Sequence, residues 1–566
     1  MKLGSLSLLA VAAPKLGAAY AQMPANPDYT IEIANGLAEL GPKQIISTTL
    51  YNGQFPGPLS RFKEGQPVTV DIVNKTDHPE LLHWHGQKIP SDVDDAEEEG
   101  SRVVAPGATL RETFTPGPSG FPFYHTHVRA GSDLSRGQYS GLVGPVYIEP
   151  KENPGAYDQE IFLVLKEFGP THSRGGDMAM DFLAGSEIEK LRDKGEAAMN
   201  TSIKAGVPNG YEAGYQFFTI NGRMVGRGEP IRVKRGQRVL FHILNGSAGE
   251  IRSVAMLGHC FRVVATDGNP VPHPVEVPVL WIGTAERISA VVEMNHPAVF
   301  ILGDLADDDR GHGMGIVVEY AGAHGKPVWQ KPPAYKWDYT VFGTSAKADE
   351  PDHVVDMLFV KQNAADGGFN RWTINGTAYP DMMQMVEPML RLTKGGRYRI
   401  RMRNESDDIH PIHLHRHSFE LTRTGGKQTS GVIKDVVMLG DDQEADIDFV
   451  ADNPGMTLSH CHQQLHMDFG FMALSTTRSP PDPGRLLQNL EPLTEQDLLQ
   501  DKRVSHALKP CCECLLPAFR QPKQLVRYRP FAPKHRRRAT DAALARNISD
   551  RRLISALSRD GPGPTG

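Results

Sequence analysis

One pattern occurs three times along the 566-residue sequence, and it constrains the fold more than any other feature. Each copy has a large apolar residue before Asn-Gly, then a proline, a glycine turn, an alternating strand and a closing asparagine. The copies span residues 51–74, 220–245 and 374–404, and similar apolar strands follow at 141–146, 313–318 and 470–474. Asn-Gly favours tight hairpin turns, and short strands with regular turn signals are typical of β-sandwiches. The sequence therefore predicts an all-β chain with three β-sandwiches in tandem.

The repeat also gives the predicted domain boundaries, because a chain of this length is too long for one hydrophobic core. We expect a first domain over residues 22–152, a second over 153–325 and a third over 326–482. Residues 483–566 lose the strand pattern and carry an excess of Lys and Arg, so we expect a basic, disordered tail. The tail contains Cys511, Cys512 and Cys514. These thiols could bind a soft metal, but a disordered segment is the simpler interpretation.

The first 21 residues are typical of a secretory signal peptide. An apolar stretch follows Met1-Lys2, and Ala19-Tyr20-Ala21 before Gln22 resembles a cleavage site. A disordered N-terminal extension is the alternative. We therefore expect a secreted or periplasmic protein. No later stretch is apolar for long enough to span a bilayer, and a formal net charge of −6 gives no general reason to expect nucleic acid as a partner.

Histidines are concentrated in four short segments. These are His83-Trp84-His85, His125-Thr126-His127, His410-Pro411-Ile412-His413-Leu414-His415 and His460-Cys461-His462-Gln463-Gln464-Leu465-His466. Residues i and i+2 of a strand face the same side, so each His-x-His pair presents two imidazoles together. A thiolate with two imidazoles is a ligand set that copper prefers. Since Cys461 faces away from His460 and His462, the spacing predicts two metal sites joined by one residue of backbone.

The middle copy of the repeat lacks these pairs. Where the third copy has His413-Leu414-His415, the middle copy has Met256-Leu257-Gly258-His259-Cys260. We expect His259 and Cys260 to be remnants in a packed core and not metal ligands.

The four motifs, in this order across residues 25–480, resemble those of the three-domain multicopper oxidases, a family that includes laccases, bilirubin oxidases and cuprous oxidases. The resemblance implies three cupredoxin-like Greek-key domains and four copper ions, with four one-electron oxidations coupled to reduction of O₂ to two waters. It implies that the type 1 copper is held by His410, Cys461 and His466. It implies that the type 2 copper is held by His83 and His413, and the type 3 pair by His85, His125, His127, His415, His460 and His462.

The resemblance also points to residues that tune the reaction. The axial position of the type 1 copper falls on Phe471, ten residues after Cys461, and phenylalanine cannot coordinate. Loss of an axial thioether raises the copper potential. A register slip that makes Met472 axial is the alternative. Asp94 and Asp468 are the candidates for proton delivery, since O₂ reduction consumes protons. The acidic run at residues 94–99 is interpreted as a solvated loop, or else as a region that attracts cationic substrates or metal ions.

The favoured function is a laccase-like oxidation of phenols and aromatic amines, with electrons entering through an edge-exposed histidine, His410 or His466. The alternative is a metallo-oxidase for Cu(I), Fe(II) or Mn(II). Its sequence signal would be a methionine-rich insert, here Met382, Met383, Met385 and Met389, although core packing explains these methionines more simply. A non-catalytic copper carrier is disfavoured because no ligand position is missing. The expected partners are O₂ and small aromatic reductants or reduced metal ions, without nucleic acid or membrane insertion.

Overall fold

A computed structural model describes residues 26–150, 157–173, 210–379, 390–406, 408–440 and 443–478. The predicted signal peptide (1–21), the four clustered methionines and the basic tail with its cysteines (483–566) lie outside the described residues. Within the described part of the chain, no helix is long and apolar enough to cross a membrane.

The first sandwich lies within residues 29–149. Its strands are β1 (Tyr29–Gly41), β2 (Gln44–Tyr51), β3 (Ser60–Lys63), β4 (Val68–Asn74), β5 (His83–His85), β6 (Thr109–Phe114), β7 (Phe123–His125) and β8 (Val143–Glu149). They form two four-stranded sheets, in the orders β2-β1-β4-β6 and β3-β8-β7-β5.

The middle sandwich lies within residues 159–320. Its strands are β9 (Gln159–Ser173), β10 (Glu212–Ile220), β11 (Ile231–Val233), β12 (Arg238–Asn245), β13 (Arg252–Met256), β14 (Phe261–Thr266), β15 (Asn269–Val277), β16 (Leu280–Ile282), β17 (Arg287–Glu293), β18 (Val299–Asp304) and β19 (Gly315–Tyr320). The six-stranded sheet has the order β10-β9-β12-β17-β14-β15, and the five-stranded sheet has the order β11-β19-β18-β13-β16.

The third sandwich lies within residues 353–478. Its strands are β20 (His353–Asp366), β21 (Phe369–Ile374), β22 (Leu390–Thr393), β23 (Arg397–Asn404), β24 (His410–Leu414), β25 (Phe419–Thr424), β26 (Lys427–Lys434), β27 (Val436–Leu439), β28 (Glu444–Val450), β29 (Gly455–Cys461) and β30 (Met472–Arg478). The sheet orders are β21-β20-β23-β28-β25-β26 and β22-β30-β29-β24-β27, which repeat those of the middle sandwich strand for strand.

Helices are few in the described residues. The two α-helices are α1 (Asp307–Gly311) and α2 (Gln464–Asp468), and 3₁₀ turns cover Glu97–Glu99, Gly137–Tyr139 and Tyr339–Phe342. Helix α1 follows β18 in the middle sandwich, and α2 follows β29 in the third.

Local sequence explains the sandwiches. At the Asn-Gly turn after β2, both Asn52 and Gly53 have positive φ, at 50° and 67°, as a type I′ hairpin turn requires. In β23, alternate residues such as Ile400 and Met402 are buried while Arg401 is exposed, so one face packs on the opposite sheet. The predicted all-β fold with three tandem sandwiches is confirmed. The predicted boundaries between them stay predictions.

Candidate metal centres

Two strand pairs bring the histidine motifs together. In the first sandwich His83 of β5 lies opposite His125 of β7, and in the third His413 of β24 lies opposite His460 of β29. The two sandwiches meet at these strands, because the ring of His83 stacks on that of His415 with centroids 4.1 Å apart. Eight histidines converge there, and none is more than 2% exposed: His83, His85, His125, His127, His413, His415, His460 and His462.

The imidazole nitrogens of this cluster lie at metal-bridging distances. His415 Nε2 and His460 Nε2 are 3.0 Å apart, and His462 Nε2 is 3.4 Å from His125 Nε2. Within three overlapping triplets all donor atoms lie within 4.8 Å of one another: His83/His413/His415, His83/His85/His125 and His127/His415/His460. Such spacing fits several ions held between two domains.

Outer hydrogen bonds orient the rings and leave the inward nitrogens free. His83 Nδ1 donates to the carbonyl oxygen of Asp94 at 2.6 Å, and His413 Nδ1 donates to the carbonyl oxygen of Asp435 at 2.7 Å. The Nε2 atoms of both histidines are buried without a hydrogen-bond partner. An orphaned buried nitrogen is costly, and metal ligation is the usual reason for this arrangement.

The charge state of the cluster suits a cation. Burial lowers the pKa of His460 to about 3 and that of His127 to about 4. It lowers the pKa of the remaining six histidines well below the usual range, namely His83, His85, His125, His413, His415 and His462. The imidazoles are therefore neutral at physiological pH, with lone pairs available to a metal.

A second set lies on the other face of β29. Cys461 Sγ is 3.6 Å from His410 Nδ1 and 3.5 Å from His466 Nδ1, and the two nitrogens are 3.1 Å apart. Burial raises the pKa of the Cys461 thiol and lowers the pKa of His410 to about 3. A bound cation would favour the thiolate, so this trigonal sulfur-nitrogen set fits copper.

Phe471 faces this set, and Met472 does not. The Phe471 ring lies with its centroid 4.7 Å from that of His410. Met472 packs in a separate apolar cluster with Leu458 and Leu474. Phe471, and not Met472, therefore lies beside the trigonal set.

The expectation of an edge-exposed histidine is wrong for His410. His410 is 0% exposed and His466 is 4% exposed. The ring of Trp372 stacks on His466 with centroids 4.0 Å apart, and Glu212 Oε2 lies 3.9 Å from His466 Nε2. Glu212 belongs to the middle sandwich, and nothing in its local sequence marks it as part of this site.

Asp94 lies beside the eight-histidine cluster. Its Oδ2 atom is 2.9 Å from His415 Nδ1 and 3.4 Å from His83 Nδ1, while Oδ1 is buried without a partner. Burial raises the pKa of Asp94 to about 8.

The interpretation of the acidic run as a solvated loop is wrong. Asp95, Glu98 and Glu99 are buried, because the run turns inward as a 3₁₀ turn against the cluster. Glu99 Oε1 lies 3.4 Å from His415 Nδ1, and Glu98 Oε2 lies 3.8 Å from His127 Nδ1. The carboxylates of Glu98 and Glu99 thus face the histidines, and that of Asp95 is also shielded from solvent.

Asp468 and Gln464 connect α2 to the other sandwiches. Asp468 Oδ2 accepts hydrogen bonds from the backbone N–H groups of Ala130 and Gly131 at 3.0 and 2.8 Å, and burial raises its pKa to about 7. Gln464 donates from its backbone to the Ala248 carbonyl at 2.8 Å and accepts from the Gln138 N–H at 3.0 Å. The helix that carries His466 is therefore attached to the first and the middle sandwich.

The middle sandwich differs from its predicted description in one respect. His259 is buried, as expected, and its Nε2 lies 2.6 Å from the Tyr320 hydroxyl. Cys260, however, is exposed and not part of a core. It follows the turn at Gly258, whose φ of +73° redirects the chain before β14.

Comparisons with known proteins point to one family. Models of the multicopper oxidase family match residues 35–153, 190–319 and 357–480. The multicopper oxidase MmcO of Mycobacterium tuberculosis is 29% identical over 75% of this chain and 82% of that protein. Laccase-3 of Thanatephorus cucumeris is 25% identical over 78% of this chain and 89% of that protein. Among solved structures, Fet3p, a multicopper oxidase that functions in iron import, shares the fold with a TM-score of 0.62 and 19% identity, covering 86% of this chain and 94% of Fet3p.

Proposed function

This chain belongs to the multicopper oxidase family, whose members are copper oxidoreductases that use O₂, and from that premise we propose that it is a laccase-like oxidase of phenols and aromatic amines. The proposal has three parts: where copper binds, how the residues around it act, and which reductant is used.

Four copper ions are assigned to the two sets of residues. The type 1 ion is held by His410, Cys461 and His466. The type 2 ion is held by His83 and His413, and the type 3 pair by His85, His125, His127, His415, His460 and His462. The support is geometric, since the eight cluster histidines are buried and packed against one another, and the Nε2 atoms of His83 and His413 have no hydrogen-bond partner.

Copper bound at these positions supplies one-electron transfer and the reduction of O₂ to water. Cys461 connects the two sets, because its side chain lies at the trigonal set while its neighbours His460 and His462 face the cluster. The Asp94 carboxyl group lies beside His83 and His415, and its Oδ1 atom is unpartnered. We assign it to proton delivery. Asp468 has the same proposed role, although its contacts run to Ala130, Gly131 and Gln464 and not to the cluster.

Phe471 carries the choice of reductant. A ring and not a thioether lies next to His410, and a type 1 site without a thioether has a raised potential. A high potential allows removal of an electron from a phenol. Trp372 stacks on the face of the His466 ring, which is 4% exposed, so the reductant has little direct contact with this histidine and transfers its electron by an outer-sphere route.

Glu212 favours the second candidate, a metallo-oxidase. Its carboxylate lies 3.9 Å from His466 Nε2, and a carboxylate beside the electron-accepting histidine is a suitable ligand for Fe(II) or another oxidisable cation. The fold shared with Fet3p is compatible with this alternative. A non-catalytic carrier is less well supported, because a carrier needs no second cluster of eight histidines.

The deciding experiment measures O₂ uptake by the copper-loaded protein with 2,6-dimethoxyphenol, Cu(I) or Fe(II) as the donor. We expect fast phenol turnover and slow metal oxidation. The matched control is Cys461→Ser, which should reduce phenol turnover by at least about a thousandfold.

Two further outcomes are informative. Faster turnover with Fe(II) or Cu(I), together with a selective rise in the metal-ion KM in Glu212→Gln, would move the function to metal oxidation. No O₂ uptake with any donor, despite full copper loading and a blue absorption band, would contradict the oxidase function itself.

We also propose that the protein acts outside the cytoplasm, on the ground of the signal-like residues 1–21. N-terminal sequencing of protein recovered from the medium or periplasm should start at Gln22. An intact Met1 in a cytoplasmic fraction would contradict this.

A further inference from the structure

The middle sandwich contributes none of the eleven assigned ligands, yet one of its side chains binds a residue that contacts the histidine cluster. Arg287 is the first residue of β17 and is 1% exposed. It lies where the first, middle and third sandwiches meet, with contacts to Phe121, Asp267 and Asp435.

The guanidinium group of Arg287 is fully engaged. Nη1 and Nη2 donate to Oδ1 and Oδ2 of Asp435, both at 2.6 Å, in a two-point ion pair. The remaining donors reach backbone carbonyls: Nε to Phe121 at 3.0 Å, Nη1 to Ala285 at 3.0 Å and Nη2 to Asp267 at 3.2 Å. A planar group held by both partners and by backbone has one orientation, and so does the carboxylate paired with it.

Asp435 in turn touches two ligands of the cluster. Its Oδ1 atom lies 3.2 Å from His85 Nε2, and its carbonyl oxygen accepts the hydrogen bond from His413 Nδ1 at 2.7 Å. The rings of His85 and His413 are stacked with centroids 3.8 Å apart. One residue therefore sets the orientation of a type 3 and a type 2 histidine.

A second side chain of the middle sandwich fixes the backbone of Asp435. Asp267 Oδ2 accepts hydrogen bonds from the N–H groups of Asp435 and Val436, at 3.3 and 3.2 Å. Lys434 Nζ pairs with the same oxygen at 2.9 Å, so its charge is compensated. The carbonyl that holds His413 is thus positioned from the middle sandwich as well.

The first sandwich leaves room for this contact. A Cβ atom on Gly86, the residue after His85, would lie 2.6 Å from Arg287 Nη2 and 3.0 Å from Asp435 Oδ2. Gly86 also has a φ of +82°, which a side chain would strain. The guanidinium therefore occupies space that only glycine provides beside the ligand strand.

We propose that Arg287 is a positioning residue for the histidine cluster: through Asp435 it orients His85 and His413, so retention of cluster copper depends on the sandwich that holds no ligand. The inference rests on the proposed copper cluster. Outer partners of metal ligands commonly change metal affinity by about 10- to 100-fold when removed. Loss of Arg287 would also leave the Asp435 carboxylate buried without its counter-charge.

The test compares three variants of the full-length holoenzyme: Arg287→Met, Arg287→Lys and the control Arg252→Met. Arg252 is also a buried arginine of the middle sandwich, paired with Asp309 and Glu167, but it does not contact the cluster. Copper per chain, the type 2 electron paramagnetic resonance signal, the blue type 1 band and urea unfolding are recorded for each, before and after dialysis against increasing concentrations of one chelator.

We expect Arg287→Met to keep the blue band and to lose cluster copper at about 10- to 100-fold lower chelator concentration than the wild type. Arg287→Lys keeps the charge but not the two-point geometry. It should therefore lose cluster copper at a chelator concentration between those of the wild type and Arg287→Met. Arg252→Met should unfold at lower urea concentration while it retains cluster copper until it unfolds.

Three results would overturn the inference. These are wild-type copper retention in Arg287→Met, parallel loss of the blue band and cluster copper in the two methionine variants, or an unchanged type 2 signal in Arg287→Lys if Arg287→Met does not fold. A wild-type protein that binds no cluster copper would instead contradict the proposed function, so the two failures are distinguishable.

Discussion

Strands β24 of the third sandwich and β13 of the middle sandwich occupy the same place in five-stranded sheets of the same strand order. The pairing gives the residue equivalences. Ile412 lies opposite Cys461, and Val254 lies opposite Asp304, so Asp304 stands where Cys461 does. By the same register the trigonal set, with Phe471 beside it, and its middle counterparts correspond as follows: His410 to Arg252, Cys461 to Asp304, His466 to Asp309 and Phe471 to Met314.

Both sandwiches place polar groups that can bind a cation at these equivalent positions, but the groups differ in the two sandwiches. In the middle sandwich the guanidinium of Arg252 pairs with Asp309, and Nη2 lies 3.5 Å from Glu167 Oε2. A serine supports each set, since Ser247 Oγ lies 3.3 Å from Arg252 Nε and Ser406 Oγ lies 2.7 Å from His410 Nε2. The middle sandwich therefore holds the fixed positive charge of an arginine at the position of His410. The backbone of both sandwiches therefore provides the same position for these residues, and the side chains determine whether a metal can bind there.

The first sandwich shows a third arrangement. His83 lies opposite His125 as His413 lies opposite His460, so Thr126 stands at the position of Cys461. Thr126 Oγ1 donates to Glu80 Oε2 at 3.1 Å. A neutral hydroxyl and a carboxyl group thus replace the thiol and imidazole, and the histidines beside Thr126 face the cluster.

The largest expected effect comes from breaking the ion pairs of the middle sandwich. Arg252→Met leaves Glu167 buried and Asp309 partly buried without their cation, and removal of one partner of a buried pair costs about 3–5 kcal/mol. Urea unfolding should show this loss. Arg232→Met, which removes an exposed pair with Glu229, should cost less than about 1 kcal/mol. An equal loss of unfolding free energy in Arg252→Met and Arg232→Met would show that the buried ion pairs of the middle sandwich have no special role in its stability.

A graft sharpens the comparison further. The triple variant Arg252→His, Asp304→Cys, Asp309→His gives the middle sandwich the trigonal ligand set, with Ser247 and Met314 already in place. We expect one additional copper ion per chain, measured by elemental analysis, and a second blue absorption component. The double variant without the cysteine should gain neither. Failure of the well-folded triple variant to bind copper would show that more than the side chains distinguishes the sandwiches.

A smaller effect is expected from giving the third sandwich the middle sandwich's axial residue. Phe471→Met restores a thioether, which favours Cu(II), so the potential should fall by about 59 mV for each tenfold change in the one-electron equilibrium. A redox titration that follows the blue band measures this. Phe359→Leu is the control, because Phe359 packs on Phe471 but does not face the ligands. The same shift in both variants would assign the change to packing.

The smallest effect concerns the carboxyl group of the first sandwich. Burial raises the pKa of Glu80, so the folded protein keeps that proton to a higher pH than the unfolded chain. The free energy of unfolding therefore falls as the pH rises above the usual carboxyl range. Glu80→Gln removes this titration, and its unfolding free energy should fall less between about pH 5 and pH 8, by about 1 kcal/mol or less.

Urea unfolding at both pH values provides the measurement, with the exposed Glu39→Gln as the control. A steeper fall in Glu80→Gln than in the wild type would show that the sign is wrong.

The sequence predicted what depends on local pattern. Each Asn-Gly turn favours a tight hairpin, and the alternation of apolar and polar residues in β23 indicates which face is buried. Three sandwiches can therefore be predicted without information on long-range contacts. The His-x-His spacing likewise predicts two rings on one face of a strand. The four motifs locate His410, Cys461 and His466 because family spacing is encoded in short segments.

Contacts between distant segments were not predictable in this way. Arg287 and Asp435 are 148 residues apart, and neither lies in a recognisable motif. Glu212 reaches His466 only because two sandwiches meet there. The prediction of a solvated loop at residues 94–99 was wrong for a related reason. Its composition is typical of a solvated loop, but the neighbouring histidines and the backbone donor at Leu458 hold it inside the protein.

The attachment of α2 restricts how this protein can be recombined. Every residue of the trigonal set comes from the third sandwich, so the sequence alone suggests that this sandwich can form the set without the other two. Yet the helix that carries His466 is bonded to Ala130 and Gly131 of the first sandwich and to Ala248 of the middle one. Chimeras in which a single sandwich is exchanged with that of a relative would lose these hydrogen bonds between sandwiches. We therefore expect functional hybrids only when the α2 helix is exchanged together with the 128–138 loop and the turn at Ala248.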